Sequence, residues 1–93
     1  MKGVILVYII VKERGMAKRI VNTSTSSAIT IDELGTGSAV KFVVAAYYGE
    51  DAKGARKQIA IDKFNTYDEA QHLLTQISAS IANGERSCIV NSK

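Results

Sequence analysis

The segment Thr66-Tyr67-Asp68-Glu69 and the residues after it constrain the fold of this chain more than any other feature. Thr66 and Glu69 have the spacing of a capping box: the Thr66 hydroxyl can accept from the Glu69 backbone N–H, and the Glu69 carboxylate can reach back. Asp68 and Glu69 also stand at the positive end of the helix dipole. Ala70, Leu73, Leu74, Ile77 and Ile81 then recur at steps of three and four, which makes one apolar stripe. Asn83-Gly84 is a stop signal, because Gly84 can take the left-handed conformation that ends a helix. The pattern predicts one amphipathic helix over Tyr67–Asn83.

Everything before it reads as strand. Val4 to Val11 is an apolar run of eight residues rich in Val and Ile, the composition of a strand buried on both faces. A membrane-spanning helix needs about 20 residues, and no small-x-small cleavage site follows the run as it would in a signal peptide. Arg19–Asn22 is a short strand, Thr23–Ser27 a polar turn, and Ala28–Ile31 a strand that ends in the loop Asp32–Ser38. Ala39–Tyr48 is the longest strand. Val40, Phe42, Val44, Ala46 and Tyr48 should meet the core, while Lys41, Val43, Ala45 and Tyr47 form a mixed second face. Gly49–Gly54 turns the chain into Arg56–Asp62, with Ile59 and Ile61 facing the core, so these two strands form an antiparallel hairpin. Ser87–Val90 is a possible short last strand. The expected fold class is α+β: an antiparallel β-meander of four to five strands, then the helix.

The 93 residues fit a single domain. Residues 16–93 supply the core pattern, and 1–15 add an apolar strand, at a sheet edge or a subunit contact. Met16-Ala17-Lys18 would itself be a plausible start. A chain of this size buries about 60–65% of its unfolded surface, so dimerisation is a common source of added stability. The net charge of +3 is uneven: Lys2, Lys12 and Arg14 against Glu13 leave the remainder of the chain nearly neutral. The pI of about 9.1 therefore makes a weak case for nucleic acid.

The residue inventory argues against an enzyme, a cofactor or a metal. His72 is the one histidine and falls on the polar side of the helix, away from any nucleophile elbow. Gly35-Thr36-Gly37-Ser38 lacks the Gly-Lys-Ser/Thr of a phosphate loop. The pairs Asp32/Glu33 and Glu50/Asp51 are solubilising loop acids rather than a calcium site. Cys88, the one cysteine, reads as a small buried strand residue and fits a reducing cytoplasm. Asn22-Thr23-Ser24 matches a glycosylation sequon but has no secretion signal with it.

Three function classes follow. A helix of about 25 Å covers only part of one face of such a sheet, which leaves a sheet face, a sheet edge or the apolar N-terminal strand for an interaction protein, expected to be a homodimer. The hairpin residues Lys53, Arg56 and Lys57, with Tyr47 and Lys41, could instead hold single-stranded nucleic acid by phosphate contacts and stacking, although lysines also keep a hairpin edge from pairing with strangers. Lys2, Lys12 and Arg14 around the apolar run could hold the chain to a membrane surface. Finally, the motif order resembles small uncharacterised proteins of Gram-positive bacteria and their phages. The segments that carry it are Ile20-Val21-Asn22, Ala28-Ile29-Thr30-Ile31, the Val/Tyr-rich hairpin, Phe64-Asn65-Thr66-Tyr67-Asp68-Glu69-Ala70 and Ile81-Ala82-Asn83-Gly84-Glu85. The resemblance covers residues 17–85 and implies a meander plus helix of bacterial or mobile-element origin, with no activity or functional residues to transfer.

Overall fold

The computed structural model of the chain describes residues 6–92. Lys2 and residues 4–5 of the apolar run lie outside them. The elements are β1 (Tyr8–Glu13), β2 (Met16–Asn22), β3 (Ala28–Leu34), a 3-10 turn (Gly37–Ala39), β4 (Lys41–Glu50), β5 (Arg56–Phe64), α1 (Tyr67–Ala82) and β6 (Ser87–Ser92). The class is α+β, with five strands before the helix and a short one after it.

The strands divide between two sheets rather than forming one meander. Sheet A has the order β2-β1-β6, and sheet B the order β3-β4-β5. β1 pairs antiparallel with β2 across the turn Arg14-Gly15, where both residues have positive φ, 55° and 80°. That is the geometry of a two-residue hairpin turn whose twist matches its strands. β1 also pairs in parallel with β6, from Tyr8↔Ser87 to Glu13↔Ser92. The N-terminal strand is therefore central in its sheet, which overturns the sheet-edge position, one of the two expected from the sequence. Without it, β2 and β6 would have no partner in sheet A.

Cross-strand rows decide what each face of sheet A presents. Val21–Ile9–Cys88 forms one row and Arg19–Val11–Val90 the next on the same face. Ile9, Val11, Val21, Cys88 and Val90 are all buried in the core, so the expectation for Cys88 holds. Burying side chains of this size is worth about 1.5–3 kcal/mol each. Sheet B contributes Val44, Ala46 and Ile61, with Phe42 and Tyr48 packed against them, as the alternation in β4 predicts. A bulge in β5 between Asp62 and Ala60 re-aims this strand: Ile61 is fully buried, whereas Ile59 is 48% exposed. Asp32 and Glu33 lie within β3, not in a loop.

The two sheets meet where β1 and β2 approach β5. The Arg19 guanidinium crosses this junction and donates to the carbonyls of Ile61 at 2.7 Å and Ala60 at 3.4 Å. It thus serves backbone acceptors on β5, the edge strand of sheet B. The Tyr48 hydroxyl donates to the Asn22 carbonyl across the same gap. Burial pushes the Tyr48 phenol above its ordinary pKa.

Helix α1 forms as its caps dictate. Glu69 N–H donates to Thr66 Oγ1 at 3.3 Å, and the Thr66 hydroxyl in turn donates to the Glu69 carboxylate at 3.0 Å. At the other end Glu85 N–H bonds Ser80 O and Gly84 N–H bonds Ile81 O, both at 3.0 Å, a complete Schellman pair. Ala70, Leu73, Ile77 and Ser80 are buried, while Leu74 is half-buried and Ile81 is 48% exposed. The buried stripe is narrower than the apolar stripe in the sequence. The helix contacts β3, β4, β5 and β6, and Gln76 donates to the Ile89 carbonyl at 3.0 Å, serving an acceptor on β6.

Two substitutions test this account. Gly35 has φ of 96°, and a Cβ built on it would lie 2.5 Å from the Ala39 carbonyl oxygen. Gly35→Ala should therefore destabilise by about 1–3 kcal/mol in denaturant titration. Ile9→Ala, in the middle of the central strand, should cost about 2–5 kcal/mol by the same measurement.

Candidate functional site

The basic residues expected to act together are separated by the backbone that carries them. Arg56 and Lys57 are neighbours on β5, and neighbouring strand residues project to opposite faces. The Arg56 guanidinium sits over the Tyr47 ring, 4.8 Å from its centroid, on the face of sheet B away from the core. Lys57 instead shares the core-side face with Ile59 and lies near Tyr48 and Thr25. Lys53 occupies the tip of a turn organised by Asp51, whose carboxylate accepts from Lys53 N–H at 2.8 Å and Ala55 N–H at 2.9 Å. Lys41 shares the face of Tyr47, but six residues of strand put it about 20 Å away, where its ammonium donates to Asn65.

The outward face of sheet B therefore holds Tyr47 and Arg56 at one end and Lys41 and Lys63 at the other. Val43 and Ala45 are buried between them. Asp32 and Lys63 flank Val43 in register, and Thr30 donates to Asp32 Oδ1 at 3.3 Å while Oδ2 is buried without a partner. The Tyr47 ring face that a base would stack on is partly occupied by Arg56.

The outward face of sheet A is different in kind. Its rows are Asn22–Tyr8–Ser87, Ile20–Ile10–Ile89 and Ala17–Lys12–Asn91. The register brings three isoleucines from three strands into one line. Ile20 is 61% exposed, Ile89 47% and Tyr8 44%, with Ile10 half-buried between them. Isolated exposed isoleucines are ordinary, but a contiguous row with a tyrosine beside it is the mark of an interaction surface. The face measures about 14 by 20 Å, from three strands of six residues, and Lys12 is the one charge in these three rows. The sequence reading offered the apolar N-terminal strand as a subunit contact, but it did not place Ile20 and Ile89 beside Ile10. The two-sided apolar character of β1 was the available signal, but nothing local says that residues 10, 20 and 89 align.

Two grooves flank α1. One, between the helix and the ends of β5 and β6, is lined by Asp62, Lys63, Asp68, Glu69 and the exposed His72. The other, beside β3, is lined by Leu6, Ile29, Leu74 and Ile81. Among the described residues no group of three or more His, Cys, Asp or Glu side chains is placed to hold a metal ion. No described helix is long and apolar enough to cross a membrane. In the segment considered as a membrane anchor, Ile9 and Val11 are taken up by the core, and Tyr8 and Ile10 belong to the isoleucine face. Asn22 of the sequon turns its side chain onto Ser24, accepting from the backbone N–H at 2.9 Å and from the hydroxyl at 2.7 Å.

No protein-family model matches the chain, and neither the curated proteins nor the solved structures contain a match. The resemblance to small Gram-positive bacterial and phage proteins therefore rests on the sequence motifs alone.

The separation of Arg56 from Lys57 is directly testable. Arg56→Ala removes the stack on Tyr47 and should lower stability by about 0.5–1 kcal/mol. Lys57→Ala should stay within about 0.5 kcal/mol of the unaltered chain in the same urea titration.

Proposed function

We propose that the protein is a non-enzymatic interaction protein that works by docking the outward face of sheet A onto a protein partner. The carrying observation is the exposed row Ile20–Ile10–Ile89 with Tyr8 beside it. Water-exposed apolar surface of this kind gains free energy when covered. The strand at its centre also carries Ile9 and Val11 in the core. A partner on Ile10 and Tyr8 thus packs on backbone already fixed by the fold, which lowers the ordering cost of binding. The reading includes a reducing, cytoplasmic setting, with which a lone buried thiol at Cys88 is compatible.

A second reading keeps the nucleic-acid class but relocates it. The cations that share the Tyr47 face of sheet B are Arg56, Lys41 and Lys63, so Lys63 takes the place expected for Lys57. Aromatic and basic groups on one sheet face are the parts of a single-strand platform.

One pair of measurements separates the two. Tagged protein should retain a partner that is lost with the double substitution Ile20→Thr, Ile89→Thr and kept with Arg56→Glu, Lys63→Glu. Labelled single-stranded DNA and RNA should show no anisotropy change at about 50 mM salt, where phosphate-driven binding is strong. Binding that weakens at about 200 mM and disappears with Arg56→Glu, Lys63→Glu would put the nucleic-acid reading first.

A further inference from the structure

We infer that the surface covering the isoleucine face is the same face of a second copy of this chain, packed sheet to sheet about a two-fold axis along the Ile20–Ile10–Ile89 row. The inference rests on the docking face proposed above and names its partner. Two observations carry it, and a third sets its strength.

The first is the pattern of β1. Its inward residues Ile9 and Val11 are fully buried, and its outward residues Tyr8 and Ile10 are apolar as well. A strand apolar on both faces is the pattern of a strand covered on both faces. Among the described residues only the inward face is covered.

The second is charge. The rows Asn22–Tyr8–Ser87 and Ile20–Ile10–Ile89 carry no charge, so the face offers nothing for a strongly acidic or basic partner to match. Among the paired rows the one charge is Lys12, beyond the isoleucines, and Lys18, skipped by the register shift in β2, is paired with Glu13. A two-fold axis along β1 would set the lysines of the two copies on the same side, where like charges repel. An axis along the isoleucine row instead reverses the strands of the second copy. Each Lys12 then meets the partner's Tyr8, whose ring attracts a cation, and Ile10 meets the partner's Ile10. The contact is isologous and closes on itself, so it makes a dimer rather than a filament.

The third is size. Two stacked sheets lie about 10 Å apart with aligned strands, and a face of about 14 by 20 Å is small beside the roughly 800 Å² per partner of a standard stable interface. The dimer is therefore a concentration-dependent one, in fast exchange with monomer.

Analytical ultracentrifugation of the full chain tests this from about 10 µM to 1 mM, a range suited to an interface below standard size. The weight-average mass should rise from 10.0 kDa towards twice that value across the series. Ile20→Thr with Ile89→Thr keeps β-branched side chains, and so strand propensity, and should raise the dimer dissociation constant at least tenfold with an unchanged far-UV spectrum. In the unaltered chain, an NMR sample of mixed isotope labelling should show intermolecular contacts between the two Ile10 side chains and between Tyr8 and the partner's Lys12. A mass that stays at 10.0 kDa at every concentration would overturn the self-pairing. So would a dimer whose intermolecular contacts lie elsewhere. In either case a partner retained by the unaltered chain and lost with the threonine pair would still support the docking face, so the two ideas fail separately.

Discussion

Strand β1 forms a hydrogen-bonded ladder along both of its edges, antiparallel to β2 and parallel to β6. A parallel pair cannot be closed by a hairpin and needs a long crossover. Here the crossover is the rest of the protein: β2, all of sheet B and α1 lie between β1 and β6 in sequence. Sheet A is complete only after the last described residues have come back beside the first. The rows Val21–Ile9–Cys88 and Arg19–Val11–Val90 then close the core against Ile61, Leu73 and Ile77. The same pairing lines up Ile20, Ile10 and Ile89 on the outside. The core and the exposed face are two consequences of a single register, and a slip of one residue would exchange them.

The sequence was informative wherever the determinant was local. Thr66 and Glu69 fix the start of the helix and Gly84 its end, and the alternation of Phe42, Val44, Ala46 and Tyr48 identifies the inner face of β4. The polar connection Thr23–Ser27 falls where its residues place it, and the turn expected at Gly49–Gly54 begins two residues later because β4 runs through Glu50. It was uninformative wherever the determinant was distant. Nothing near Ser87 announces a parallel partner at Tyr8, so β1 read as a peripheral strand and the two sheets as one meander. The bulge at Ile61 is equally silent: Ile59 and Ile61 have the same spacing from the core pattern, yet only Ile61 is buried.

The candidate surfaces follow the same division. Lys53, Arg56 and Lys57 are close in sequence, which makes them look like one patch. Strand alternation sends Arg56 to Tyr47 and Lys57 to the opposite face, and Lys63, ten residues after Lys53, shares the Tyr47 side instead. Conversely, the isoleucine face is assembled from residues that no window of sequence contains together. Arg19, an exposed base that would pass as a solvated charge, bridges the sheets through the carbonyls of Ile61 and Ala60. Charge and proximity in sequence were poor guides here, and register was the better one.

Because the account depends on β1 being central, native-state hydrogen exchange at its backbone amides tests it most directly. Core strands exchange only on global opening, whereas frayed terminal segments exchange by local opening at far lower free energy. The amides of β1 and β6 that enter the two ladders should exchange as slowly as those of β4, with the same dependence on denaturant. Exchange of β1 and β6 at the rate of the turn over residues 51–55, while β4 remains protected, would contradict the shared register and the isoleucine face built on it.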